Sequence, residues 1–443
     1  MNITATNRDI IKIAAPISLA LFIPQISFLA NTAFLGRLGE RELGVNGVSG
    51  IFYLTLSMIG YGLSNGIQVQ MARRAGEGDT RGLTRALTNG VLLCLMFSLG
   101  LMMLSLWLTP LIFGYSLHNT DTAMQSVNYL YIRVWGLPFL MLTQLINSFY
   151  IATRQSKFLI YGALAGALFN IGFDYLLIFG HHGFPRMGLK GAALASILGE
   201  VAFCAVMYGI FYFRRIYREY PMHKHFSFDV KLSQRSLRVS LPLIVQFLFS
   251  IGGWQIFFIY VEHLGQSELA ASQILRSIFG IVSIGTWALA STCNTMVSNV
   301  IGQGRQEQVI GLVKKIAKLS LLYTIVVGGI LLLFSHEFLS LYRDDTRLIA
   351  LSLPSLRVIV VATLVMAVST VVFNGVVGTG NTMINLVMEV FCVCTYLVYC
   401  YVVIQRLRLG LTWAWVSEFV YWTSLLAVSV IYLRSGRWKG KKV

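Results

Sequence analysis

The sequence predicts an all-α polytopic membrane protein, with twelve transmembrane helices in two pseudo-symmetric six-helix bundles. Three observations predict it. The 443 residues are 56% hydrophobic and only 12% charged, with a mean hydropathy of +0.70, a balance foreign to a soluble domain of this size. Apolar runs of about 20 residues, enough to cross a hydrocarbon core of about 30 Å, recur from end to end. The landmarks of the first half also return in the second at one fixed spacing. A barrel would show short alternating segments; these runs are long and continuous.

The runs place spans near residues 10–35, 44–71, 86–113, 123–151, 159–180, 188–213, 236–261, 268–297, 310–334, 345–373, 381–404 and 410–432. With the N-terminus inside, the cytoplasmic segments and adjoining helix ends hold 24 of the 35 Lys and Arg, and the opposite loops hold 8. Arg133, Arg276 and Arg357 lie within spans. The positive-inside rule then puts both termini in the cytoplasm. The net charge of +17 reads as a topology signal and an attraction for anionic membrane lipid, with no nucleic-acid partner. All six cysteines fall within spans and read as small apolar fillers without disulfides. His181-His182 is a loop pair with no third ligand near it, so no metal centre is expected there.

Span one contains Pro16 and Pro24, then Gln25 and Asn31. Internal prolines remove backbone hydrogen bonds, which marks this span as a candidate bent helix. After span two, Gly76-x-Gly78 lacks the Gly-Lys-Ser/Thr of a phosphate loop, and no strand precedes it. It predicts a tight turn into a helix capped by Asp79 or Thr80. Span five runs GALAGALFNIGFDYLLIFG. At about 3.6 residues per turn, its Gly162, Gly166, Asn170 and Asp174 share one face. In span six, Gly188, Ala192, Ser196 and Glu200 repeat at the same interval. Packed together, the two faces would cluster Asn170, Asp174 and Ser196, with Glu200 at the end of the row.

Residues 214–235 form a basic polar linker, and then the sequence begins again. Pro16 is matched by Pro242, Leu38-Gly39 by Leu264-Gly265, Gly76-x-Gly78 by Gly302-x-Gly304 and Thr153 by Thr379, all at an offset of 226. The expected domains are an N-terminal bundle (1–213), the linker (214–235) and a C-terminal bundle (236–443). Each half has an even number of spans, so the repeats are parallel, and the substrate path is expected between them.

Of the 18 Asp and Glu, four lie inside spans: Asp174, Glu200, Glu389 and Glu418. A carboxylate near the bilayer centre costs about 2.5–3.5 kcal/mol on insertion scales and by default marks a functional site. Burial favours the neutral acid, whereas water or a cation favours the charged form. Alternating access and ion exchange would thereby become one event. A sodium carrier would use the same carboxylate with further oxygen ligands such as Asn170 and Ser196; the residues do not separate H⁺ from Na⁺. Glu389 and Glu418 have a second reading, as structural salt bridges with Arg276 and Arg357. Asn374 and Asn385 add polarity to that half. No nucleophile–base or metal motif suggests an enzyme, and no cofactor beyond the coupling ion is expected.

At this point the chain resembles the multidrug and toxic compound extrusion family. The segment NTAFLGRLGERELG (31–44) is similar to that family's first-helix motif, NIGFDYLLIFG (170–180) to its Asn-x3-Asp motif, and GLKGAALAS (188–196) to its helix-six pattern. The Asn-x3-Asp signature looks most like the branch named for DNA-damage-inducible protein F. The resemblance implies a cation site formed by Asp174, Asn170 and Ser196. It also implies export of cationic amphipathic small molecules by antiport with H⁺ or Na⁺ through alternating access, in a bacterial inner membrane and from a monomer. One departure is Asn31, where the family usually has Asp. An amide cannot exchange a proton, so that role is either missing here or has moved to Asp174 or Glu200. A lipid-linked oligosaccharide flippase is the alternative reading. It calls for a basic cavity, and only three basic residues lie within spans.

Overall fold

The computed structural model describes residues 6–116, 120–225, 228–340 and 346–440. The first half runs α1 (Asn7–Leu38), α2 (Glu40–Glu77), α3 (Thr80–Ser116), α4 (Thr120–Arg133), α5 (Leu137–Ala152), α6 (Leu159–Phe179) and α7 (Leu189–Phe213). The second runs α8 (Val230–Glu262), α9 (Gln266–Gly302), α10 (Val309–Leu333), the short α11 (Ser335–Ser340), α12 (Thr346–Gly378), α13 (Thr382–Cys400) and α14 (Leu411–Ser435). Among the described residues, twelve stretches are long and apolar enough to cross a membrane, with α4 and α5 forming one of them. They follow the spans expected from hydropathy in order. The expected start of the tenth, residue 345, lies outside the described residues, as do residues 226–227 of the linker.

Span four departs from expectation: its helix is interrupted by a 3₁₀ turn, Val134–Gly136. Pro138 has no N–H to give the Val134 carbonyl, and the Leu137 N–H takes that carbonyl instead. Span eleven continues past α13 in a π-helical turn, Tyr401–Arg406. At the Gly76-x-Gly78 turn, Gly78 adopts φ 75° and Asp79 caps α3, its Oδ1 accepting from the Gly82 N–H at 2.7 Å. The six cysteines are free, five of them buried and Cys394 exposed.

The repeat is visible in the backbone itself. Gly39 and Gly265 have φ 157° and 151°, Gly78 and Gly304 have 75° and 74°, Arg154 and Gly380 have 62° and 85°, and His182 and Arg408 have 55° and 49°. Each pair is 226 residues apart. Positive φ is rare for residues with a Cβ, so its recurrence at one offset reflects two copies of one chain path.

By packing, the chain forms two compact units. One is Leu19–Ile244, here the N-unit; the other is Met1–Ser18 with Val245–Val443, here the C-unit. The turns at the ends of the sequence halves are therefore not where packing changes. It changes inside α1 and inside α8, two residues after Pro16 and two after Pro242. The start of α8 is bound into the N-unit by three serines on one face. Ser233 Oγ accepts from Asn89 Nδ2 at 2.9 Å, Ser236 donates to Gln70 Oε1 at 3.0 Å, and Ser240 donates to the Leu63 carbonyl at 3.0 Å.

Each unit has an apolar core. Leu35, Val45, Leu130, Leu137 and Ile178 contribute to that of the N-unit; Phe257, Leu275, Leu356, Met366 and Trp415 contribute to that of the C-unit. Helix α6 shows how the faces divide. Gly162, Gly166, Asp174 and Leu177 are buried, while Tyr161, Leu164, Leu168 and Tyr175 are exposed. Large apolar side chains on an exposed face are at home against lipid tails.

Candidate functional site

The buried face of α6 meets α7 and α1 within the N-unit. Glycines set the α6–α7 approach: a Cβ on Gly199 would stand 2.9 Å from both Asn170 Cβ and the Gly166 carbonyl oxygen. That closeness brings Asn170 Nδ2 to 3.3 Å from Ser196 Oγ. On the other side, α1 presents Ser27 and Asn31, one turn apart. Ser27 Oγ donates to Asn170 Oδ1, and Asn31 Nδ2 donates to Asp174 Oδ2 at 3.0 Å. Two rungs of polar side chains thus join two parallel helices. Asp174 is 0% exposed, and its Oδ1 has no hydrogen-bond partner among the described residues. A buried carboxylate oxygen left bare is costly. This one is placed to take up a proton or to share a small cation with the neighbouring amide and hydroxyl oxygens.

Glu200 does not join that cluster. It forms a bidentate pair with Arg133, Nη2 to Oε1 at 2.7 Å and Nη1 to Oε2 at 2.9 Å. Tyr53 Oη donates to both oxygens at 3.1 and 3.0 Å, and the Arg133 guanidinium lies 3.8 Å from the Tyr53 ring centroid. The missing side chain of Gly136 makes room for the pair: a Cβ there would collide with Glu200 Oε2. With four hydrogen bonds from a fixed cation and a phenol, Glu200 is a structural anchor of the charge-assisted kind.

The C-unit acids make no salt bridge with Arg276 or Arg357 among the described residues, which corrects that part of the sequence reading. Glu389 Oε1 accepts from Ser250 Oγ and from Tyr421 Oη, the latter at 2.7 Å. Glu418 accepts from two indoles, Trp254 Nε1 and Trp422 Nε1, each at 3.0 Å. Arg357 is exposed on α12. The Arg276 guanidinium lies over Phe258 and Trp254, at 5.3 and 6.0 Å from the ring centroids. Of the two C-half asparagines, Asn374 donates to the Thr370 carbonyl of its own helix and Asn385 to the Phe373 carbonyl.

A family model described as MatE matches residues 16–176 and again residues 242–402. The two matches are displaced by the same 226 residues as the sequence and backbone landmarks. The chain belongs to the MatE family. Members of MatE are transporters rather than enzymes. This MatE chain is 24% identical to "Probable multidrug resistance protein NorM" of Thermotoga maritima, over 98% of its length and 94% of the relative's. It is 25% identical to a like-named protein of Synechocystis, over 77% and 74%. In fold it is similar to a solved outward-facing multidrug resistance MATE family transporter of the MOP superfamily. The TM-score is 0.90, with 98% of this chain and 97% of that one covered at 16% identity.

Two participants in the MatE site escaped the sequence reading. Ser27 carries a signal that was there to be used: it stands four residues before Asn31, the interval that separates Asn170 from Asp174. Arg133 was noted as a basic residue within a span, but its pairing with Glu200 joins helices 67 positions apart in sequence. Helical periodicity carries no information about the relative height of two such helices.

Proposed function

We propose that this MatE protein is a secondary active antiporter that exports cationic amphipathic small molecules, drugs among them, in exchange for H⁺ or Na⁺. The single observation that carries this reading is Asp174: a fully buried carboxylate, held by one amide on Oδ2 and bare on Oδ1. In a low-dielectric interior such a group is stable only with a proton or a cation on it. Opening it to water on one side lets that ion leave, and closing it again demands another, which ties the ion cycle to alternating access. Asn31 donates to Asp174 without exchanging a proton, so Asp174 is the exchanging acid of the pair. For Na⁺ the oxygen ligands would be Asp174, Asn170, Ser196 and Ser27. The names of the curated relatives support multidrug efflux. The charge distribution supports both termini in the cytoplasm and lipid as the surrounding partner, and the family resemblance supports a bacterial inner membrane and the monomer as the working unit. The Asn170-x3-Asp174 spacing supports the DNA-damage-inducible branch. The flippase alternative needs free basic groups for a pyrophosphate, whereas Arg133 is held by Glu200 and Arg276 lies on aromatic faces.

The test is efflux of a fluorescent cationic dye from proteoliposomes under separately imposed proton and sodium gradients, with Asp174→Asn beside the wild type. The gradient that drives wild-type efflux names the ion. Efflux by Asp174→Asn equal to the wild type would remove Asp174 as the coupling acid.

A further inference from the structure

Arg276 lies in α9, ten residues beyond its first, where a guanidinium needs a partner. Glu389 and Glu418 are buried in the same unit. Arg276 nevertheless makes no ion pair with either among the described residues and rests instead on the faces of Phe258 and Trp254.

The hydrogen bonds explain why. Glu418 is 3% exposed, each of its oxygens accepts from an indole N–H, and among the described residues no ammonium or guanidinium is hydrogen-bonded to it. Trp254 relays the charge. Its edge gives the N–H to Glu418 while its face looks toward Arg276. An indole whose N–H is bound to a carboxylate is polarised toward a more electron-rich ring, and the face of tryptophan is already the best aromatic partner for a cation. The arrangement is carboxylate, indole, guanidinium in series. Trp254 and Arg276 are partly exposed while Phe258 is buried, so the indole and the guanidinium form the outer edge of this face. The arginine covers it with a long side chain that no ion pair holds in place among the described residues.

We propose that the Trp254–Phe258 face is a subsite for a planar, delocalised organic cation. Glu418 is the counter-charge behind the indole, and Arg276 is a resident occupant that the ligand displaces. The guanidinium that rests there, itself planar and delocalised, indicates the class of ligand that fits. The proposal rests on the reading of the cargo as cationic and adds to it a position in the C-unit, separate from Asp174.

The experiment measures ethidium binding to the purified full chain in detergent micelles by fluorescence anisotropy, with ethidium transport into proteoliposomes as a parallel readout. Arg276→Gln removes the competitor and tightens binding by about fivefold, while Trp254→Leu weakens it by about tenfold. Trp254→Phe, which keeps a ring but loses the N–H to Glu418, falls between wild type and Trp254→Leu. A gain of affinity in Arg276→Gln cannot arise from misfolding, so this arm stands even where the tryptophan variants fold poorly. Ethidium binding by Arg276→Gln no tighter than by the wild type overturns the proposal, whatever Trp254→Leu does. If the wild type transports ethidium in that case, the cationic-cargo reading survives and only the subsite falls. A wild type that neither binds nor transports ethidium overturns both.

Discussion

The same helix pair is built twice in this protein, and its two copies are chemically unlike. In the N-unit, α1 faces α6 through Ser27–Asn170 and Asn31–Asp174. In the C-unit, the positions 226 residues further on are Gly253, Tyr396, Phe257 and Cys400. There Phe257 and Tyr396 meet ring to ring, 6.1 Å between centroids, and Cys400 is 0% exposed. Conversely, the C-unit acids Glu389 and Glu418 correspond to Ala163 and Ala192 of the N-unit. The repeat has copied the frame of turns and the proline of the first helix, Pro16 and Pro242, and each copy has then been furnished separately. One seam is a polar ladder with a bare carboxylate oxygen; the other is an aromatic wall. The ion exchange proposed above therefore falls to one unit's seam, and the arginines differ in the same way. Arg133 is clamped by a carboxylate, whereas Arg276 lies loosely on rings.

The comparison is broken most directly at Asp174. Asp174→Asn is expected to lower ion-driven dye efflux by at least about 100-fold, equivalent to about 2.7 kcal/mol, with the chain still eluting as a folded species. Comparable efflux in that variant would mean that the polar seam is ornamental. Next in size is the arginine contrast. Arg133→Met leaves Glu200 buried without its cation and is expected to cost about 3–5 kcal/mol of stability in detergent unfolding, most of which Arg133→Met/Glu200→Met restores. Arg276→Gln should cost only about 0.5–1 kcal/mol. Equal losses would show that Arg276 is clamped after all.

Smaller effects test the geometry of the seam. Gly199→Ala forces a methyl to 2.9 Å from Asn170 Cβ, an overpacking worth about 1–3 kcal/mol. Its equivalent in the C-unit is the buried Leu425. Thermal unfolding that is unmoved by the added methyl would show that α6 and α7 have slack. Ser27→Ala removes one hydrogen bond, about 0.5–1.5 kcal/mol. It should raise the ion concentration for half-maximal efflux by a few-fold and leave the maximum in place.

Much of this was legible in the residues, and the reason is periodicity. A helix repeats about every 3.6 residues, so Gly162, Gly166, Asn170 and Asp174 declare a shared face, and Ser196 declares the face that meets it. The fixed offset of the landmarks announces two copies of one path. What periodicity cannot give is which neighbour a face meets and at what height. Glu200 sits one turn beyond Ser196 on that face, yet an arginine from α4 captures it. The same pairing idea applied to the C-terminal half failed because indole N–H groups satisfy Glu418 before any arginine arrives. The break at Val134–Gly136 was foreshadowed by Pro138, but a proline two residues past a glycine is common enough in membrane helices that it carries no alarm by itself.

The packing boundaries inside α1 and α8 set a timetable for biosynthesis. A ribosome that has delivered residues 1–213 has delivered six spans but not a finished N-unit, because Ser233, Ser236 and Ser240 are still to come. The C-unit in turn must recruit residues 7–18 of α1, among the earliest made, to complete its packing after nearly everything else has been synthesised. Cutting the gene in the central linker would therefore not yield two self-sufficient products. Each fragment would keep a piece of helix whose packing partners lie on the other, and the two would be stable only when made together.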